Sequence, residues 1–112
     1  MRILIGLVAL CIAGFLGLAS AAIAAPETST PGAALFEIHC VGCHPQGGNI
    51  IRRGKTLKQR ALARNKADSP EAIAAIIRNG KGIMSAYGDR LSAPEITPLA
   101  QYVWQQAQAD WP

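Results

Sequence analysis

The sequence predicts an all-α domain of about four short helices, and three observations carry that prediction. Helix-start signals recur at Thr30-Pro31, at Ser69-Pro70-Glu71 and at Ser92-Ala-Pro-Glu95. Apolar residues fall at helical spacing, as at Ile73, Ile76 and Ile77. No segment shows the sustained apolar-polar alternation of a half-buried strand.

Each element has its own justification. Thr30 is an N-cap followed by proline at the first helical position, so the first helix runs from Pro31 and delivers Cys40. Residues 42–54 hold four glycines and a proline, a loop flexible enough to follow the edge of a bound group. Thr56 is expected to cap a short second helix through about Arg64, with Leu57, Ala61 and Leu62 inward. Ser69 opens a third, whose isoleucine stripe ends at Gly80 after Asn79. Ser92 and Glu95 form a capping box for a last helix through about Ala109, with Ile96, Leu99, Ala100, Val103 and Ala107 inward. Pro98 conflicts with that start, because it lacks a backbone donor and crowds the preceding turn. The last helix is therefore either kinked near Pro98 or begins there.

The chain has 112 residues, room for one small domain and not for a large multidomain enzyme. Its apolar content of 50% is raised by an uncharged stretch from Ile3 to Ala25. Met1-Arg2, the apolar run to Ala19 and the small residues Ser20 to Ala25 read as an export signal, cut after Ala24 at a small-x-small site. Residues 1–24 are then a signal peptide and residues 25–112 the domain, joined through a short linker at Pro26 to Pro31. The alternative is an uncleaved anchor, since Ile3 to Ala25 is just long enough to span a bilayer. Cys11 does not make a lipoprotein site, because Leu10 is too large for the position before it. Of three cysteines only Cys40 and Cys43 lie outside this leader, which excludes a multi-bridge disulfide framework.

Cys40-Val-Gly-Cys43-His44 is CxxCH, the spacing at which two thiols add to the vinyl groups of a haem while the next residue brings its imidazole to the iron. A thioredoxin-like redox pair shares the CxxC but belongs beside a βαβ pattern that is missing here. A zinc site would draw on His39, Cys40, Cys43 and His44, neighbours in sequence that wrap poorly around a tetrahedral ion. A Cys40–Cys43 disulfide is chemically open to an exported chain. The motif is expected to hold one covalently attached haem c. Met84 lies in the glycine-rich stretch Gly80-Lys-Gly-Ile-Met84 and is the natural sixth ligand opposite His44. Taken without the motif, a lone methionine would read as core filler. A thioether ligand stabilises ferrous iron and closes it to substrates, which describes an electron carrier. His39 precedes Cys40 on another side of the helix and reads as a surface or hydrogen-bonded histidine; it or a lysine is the replacement to test if Met84 is displaced.

These residues resemble the class I cytochromes c, and among them the cytochrome c6 group of cyanobacteria and chloroplasts. The resemblance covers about residues 31–112. It is carried by Gly32-x-x-x-Phe36, Cys40-x-x-Cys43-His44, Gly48-Asn49-Ile-Ile, Lys55-Thr56-Leu57, Asn79-Gly80-Lys81, Met84, Arg90-Leu91-Ser92, Tyr102-Val103 and Trp111. It implies a class I cytochrome c fold, short helices and loops wrapped around one covalent haem. It also implies a lumenal or periplasmic carrier between the cytochrome b6f complex and photosystem I or a terminal oxidase. By resemblance Asn49 and Lys55 lie near the haem and its propionates, Tyr102 packs the last helix on the first, and Arg90 belongs to the docking surface.

Two departures from the common c6 pattern stand out. Ile77 occupies the position where many of these proteins have a glutamine beside the haem, which removes a polar tuning group. In this the chain resembles the low-potential c6-like variants sometimes called c6B or c6C. Ser85 follows Met84 where proline is common, so the loop is less stiff.

Arg52, Arg53, Lys55, Lys58, Arg60, Arg64 and Lys66 fall in one stretch without an acid, within a chain of formal net charge +4. Such a face steers acidic redox partners and makes weak contact with anionic membrane surfaces, unless it merely keeps the protein soluble. Nucleic acid is not expected, since the chain is exported and lacks an aromatic binding platform. The expected function is one-electron transfer without enzymatic chemistry. The alternatives are a haem-based gas sensor or small haem enzyme with a labile sixth ligand, and a membrane-tethered cytochrome subunit of a respiratory complex.

Overall fold

The computed structural model describes Gly17 and residues 30–112. Gly17 apart, the leader lies outside the described residues, and so does the linker up to Ser29. The described chain forms four α-helices, α1 (Pro31–His39), α2 (Gln59–Arg64), α3 (Pro70–Asn79) and α4 (Ala93–Gln108), with 3-10 turns at Pro45–Gly47 and Arg53–Lys55. No strand is present among the described residues; Lys81 and Met84 pair only as an isolated bridge.

Capping follows the predicted residues at three of the four starts. Thr30 Oγ1 accepts from the Ala33 N–H at 3.3 Å and Ser69 Oγ from the Ala72 N–H at 3.0 Å, caps worth about 1 kcal/mol each. At α4 the Ser92 N–H and hydroxyl both donate to Glu95 Oε2, at 2.8 and 2.9 Å. These bonds, the backbone one first, hold the Glu95 carboxyl below its ordinary pKa. The α4 helix runs unbroken through Pro98. The helix starts at Ala93, so it does not begin at Pro98; as the sixth helical residue Pro98 lies inside the helix and leaves one intrahelical bond unmade.

The second helix begins later than expected. Thr56 is extended and α2 opens at Gln59, with no side-chain cap at Lys58. Leu57 is claimed elsewhere: its N–H donates to Gly47 O at 2.7 Å and its carbonyl accepts from Trp111 Nε1 at 3.0 Å. A residue with both backbone groups engaged across the fold cannot enter a helix.

The long α4 is the axis of the domain and packs against both α1 and α3. Its inward face is the predicted one, with Ile96, Leu99, Ala100, Val103 and Ala107 all buried. Phe36 from α1, Leu62 from α2, and Ile73 and Ile77 from α3 complete the core. Helix α1 crosses α4 at Gly32, where an added Cβ would lie 2.2 Å from Pro98 O and 2.8 Å from Tyr102 Cβ. The Tyr102 ring packs tilted against Phe36, centroids 5.5 Å apart, joining the last helix to the first as the family resemblance implies. Beyond α4, Asp110 and Trp111 turn back through left-handed conformations (φ 59° and 51°). The Trp111 indole then lies against Phe36 at 5.2 Å and beneath Gly47. Gly47 has φ 72°, and a Cβ there would sit 2.4 Å from the indole, so only glycine fits.

Candidate haem site

The CxxCH segment is wound as one turn beyond α1. Cys40 N–H and Val41 N–H both donate to Phe36 O (2.9 and 3.0 Å), after which Cys43 and His44 N–H donate to Cys40 O (3.2 and 2.9 Å). This places Cys40 and His44 on one side of a cavity of about 420 Å³. The His44 ring donates from Nδ1 to Gly48 O at 2.8 Å, which orients the imidazole and leaves Nε2 with its lone pair free for a metal. The two cysteines are not bonded to each other; Cys40 lines the cavity, whereas Cys43 is exposed and is not among the lining residues. Burial, with the nearby Cys43 adding to it, pushes the Cys40 thiol up to about 11.

Another part of the lining comes from the end of α3 and the turn that follows it. Gly80 terminates that helix at φ 72°, and Lys81 and Met84 close a short turn by exchanging backbone bonds at 3.1 and 3.0 Å. A side chain on Gly80 would run into Met84 O at 2.7 Å, so this turn lies tight against the helix end. Beyond it the chain is lashed back to α3 by Tyr87 N–H to Ile77 O (2.8 Å) and Gly88 N–H to Arg78 O (3.1 Å). Tyr87 also donates its hydroxyl to His39 O at 3.1 Å, so the end of α1 and the methionine turn are joined directly. Met84 is half-buried and faces the same cavity as His44.

Around these groups the lining is apolar: Phe36, Leu57, Leu62, Ile73, Ile76, Ile77, Ile83 and Val103. Its polar members are Asn49, Arg52, Lys55, Thr56, Asn65 and Lys81. An apolar slot with cations among its polar groups suits a flat hydrophobic macrocycle with carboxylates on one edge. Two thiols, an oriented imidazole and a thioether complete the donor set of a c-type haem. Among the described residues no three His, Cys, Asp or Glu side chains converge to hold a metal ion, which does not favour zinc.

The remaining sequence-selected residues divide. Ile77 is buried in the lining. Asn49 lines the cavity too, but its amide is occupied within its own loop. Oδ1 accepts from Ile51 N–H (2.9 Å) and Arg52 N–H (2.7 Å), and Nδ2 donates to Lys55 O (3.0 Å). Lys55 lines the cavity and donates Nζ to Asn65 Oδ1. Arg90 stands away from the lining, 4.1 Å over the Tyr87 ring and donating to Ala86 O at 3.4 Å. His39 is not in the lining either; it meets Tyr87 edge-on at 5.9 Å. Sequence reading passed over Asn65, which bridges segments far apart in the chain and has no local signature.

A helical cradle closed on one such slot defines a class I cytochrome c. The family model described as cytochrome c oxidase, cbb3-type, subunit III matches residues 27–103. A cytochrome c6-like protein of Nostoc sp. is 52% identical over 85 residues, 76% of this chain and 77% of its own. The crystal structure of cytochrome c6C from Synechococcus sp. PCC 7002 is 60% identical, with TM-score 0.71, covering 73% of this chain and all of its own. That of cytochrome c6B from Synechococcus sp. WH8102 is 53% identical, with TM-score 0.72, covering 77% of this chain and 98% of its own. The chain belongs to the cytochrome c6 family, including its c6-like variants. It carries one covalently attached haem c and is an electron-transfer protein rather than an enzyme.

Proposed function

We propose that this protein carries single electrons in a photosynthetic or respiratory chain, with His44 and Met84 as axial iron ligands and Cys40 and Cys43 as the thioether attachments. The observation that carries the assignment is that His44, with Nδ1 engaged, and Met84 line one and the same apolar cavity. The haem supplies the redox-active iron; the chain positions and shields it. The Gly48 carbonyl orients the imidazole, and the short Lys81–Met84 turn presents the thioether. Phe36, Leu62, Ile73, Ile77 and Val103 keep water from the ring, which limits reorganisation on electron transfer.

Partners meet a positive rim. Arg52, Lys55 and Lys81 stand at the cavity, and the Lys58–Asp110 contact at 3.9 Å is the sole ion pair among the described residues. Unpaired cations favour approach by redox proteins with acidic docking surfaces, and those of the c6 resemblance are cytochrome b6f as donor and photosystem I or a terminal oxidase as acceptor. Arg90, exposed beside Tyr87, is assigned to the docking surface on the c6 resemblance. Residues 1–24 act as the export signal and residues 25–112 as the carrier in the thylakoid lumen or periplasm.

The test is the visible spectrum of protein matured in a periplasm with haem-attachment machinery. The expected result is a thioether-bound haem with the ferric charge-transfer band of methionine sulfur on iron, and no immediate carbon monoxide binding after reduction. An absent band with immediate binding would instead support a gas sensor or small haem enzyme.

The match to an oxidase-subunit model favours a second reading, a membrane-tethered subunit. No described helix is long and apolar enough to cross a membrane. The N-terminal residue of the purified protein separates the readings: Ala25 for the freed carrier, a retained leader for the tethered subunit.

Ile77 sets the expected potential. An amide there would present an N–H to the electron-rich reduced ring, so Ile77→Gln is expected to raise the potential by on the order of 50 mV. That figure follows from one hydrogen bond of about 1 kcal/mol and about 59 mV per tenfold for one electron. A redox titration of both proteins checks it, and an unchanged or lower value in the variant removes Ile77 as a determinant.

A further inference from the structure

Asn65 stands where three segments meet. It closes α2, and its Nδ2 donates to Ala61 O at 2.8 Å and to Gly54 O at 3.1 Å. Its two oxygens each receive one ammonium group. Oδ1 accepts from Lys55 Nζ, and the backbone carbonyl accepts from Lys81 Nζ at 3.2 Å. Lys55 belongs to the loop wall of the cavity and Lys81 to the turn that bears Met84; both line the slot, as does Asn65 itself.

The mechanical consequence comes from Lys81. Its backbone is bonded to that of Met84 in both directions, so moving Lys81 moves the methionine. On its far side the turn is tied to α3 through Tyr87 and Gly88. On the cavity side it is tied through Lys81 to Asn65, and Ile83 at its tip is 60% exposed. An isolated surface contact of a lysine contributes little, because ordering two free groups offsets it. Here the acceptor is a backbone carbonyl at the end of α2, and its residue is held in place by its own N–H on Ala61 O and by its side-chain amide on Ala61, Gly54 and Lys55.

We propose that Asn65 is a positioning residue for the sixth ligand: acting through Lys81, it latches the Met84 turn to the end of α2 and slows exchange of the methionine for ligands from solution. This rests on the reading of Met84 as the axial ligand. The latch acts on the ligand loop and not on the core, so it alters exchange before it alters folding.

The experiment follows loss of the ferric charge-transfer band after mixing the haem-loaded protein with imidazole, at concentrations where opening of the turn limits the rate. Lys81→Leu, which removes the ammonium group without placing a second thioether beside Met84, is expected to displace Met84 about threefold faster. Asn65→Ala keeps the backbone carbonyl that Lys81 reaches and loosens only its footing, so it is expected to speed the exchange by no more than that. Lys81→Leu leaves α2 intact, which covers the case in which Asn65→Ala folds poorly, and Lys81→Arg restores a donor and a rate near that of the parent. The double variant is expected to be no faster than Lys81→Leu, because Asn65 acts on the turn only through Lys81. Unchanged rates in both single variants, or effects that multiply in the double variant, overturn the latch while leaving Met84 as the ligand. A parent protein without the band overturns the ligand reading and the latch with it.

Discussion

Replacing Met84 with alanine is expected to abolish the ferric charge-transfer band, open the reduced iron to carbon monoxide and lower the reduction potential by on the order of 100 mV or more. A drop of about 100 mV is a roughly fifty-fold change in the balance of ferrous and ferric forms, at about 59 mV per tenfold. The effect is large because a thioether favours ferrous iron, whereas the water or nitrogen ligand replacing it favours ferric iron. His39 is not in the cavity lining, whereas Lys55 and Lys81 are, so a lysine is the nearer replacement. Visible spectra of both oxidation states, with and without carbon monoxide, and a redox titration decide the matter. A variant that keeps the band and the potential would mean that Met84 is only a wall of the cavity, as an unaccompanied methionine in a core would be.

The second large effect belongs to the crossing of α1 and α4. Gly32→Ala is expected to destabilise the haem-loaded protein by about 3 kcal/mol, on the order of 15 °C in Tm for a domain of this size. Alanine in a helix is favoured over glycine by about 1 kcal/mol, so propensity alone predicts the opposite sign. Sterics decide it: the new methyl would lie 2.2 Å from the Pro98 carbonyl oxygen, a backbone atom that moves only if the helix moves. Separating the helices also disturbs Tyr102 on Phe36, and Phe36 is part of the cavity wall. Gly54→Ala serves as the control, since a Cβ there meets nothing within 4 Å. Thermal melts of the three proteins test this; a Gly32→Ala melt at or above the parent would show that the crossing relaxes without cost.

What the sequence made legible follows from the range over which each feature is determined. Helix α3 could be read entire, because Ser69-Pro70, the isoleucine stripe and Gly80 are all local. The haem-attachment motif could be read for the same reason, as its geometry is complete within one turn of chain. The start of α2 was misread because Thr56 resembles a cap, while Leu57 is held by Gly47 and by Trp111, fifty-four positions away in sequence. Asn49 lines the cavity, but its part in organising its own loop is a matter of atomic contacts that no local pattern shows. Asn65 had no local mark at all: its partner Lys81 is sixteen residues on, brought near only when α3 folds back. Pro98 argued against a continuous α4 by the rule for helix interiors, yet the helix runs on through it: the capping box at Ser92 and Glu95 and the buried face from Ile96 to Ala107 outweigh the one lost bond.

Phe36, Leu62, Ile73, Ile77 and Val103 belong at once to the hydrophobic core and to the walls of the cavity. Leu91, Ile96, Leu99, Ala100 and Ala107 form the rest of the core and do not line the cavity, so the interior is shared between the chain and its prosthetic group, and haem binding and folding are coupled through the shared part. A chain without its haem is expected to expose these shared side chains and to be cleaved faster by a protease than one that carries it. The amount of this carrier that persists in its compartment is then expected to follow the supply and attachment of haem.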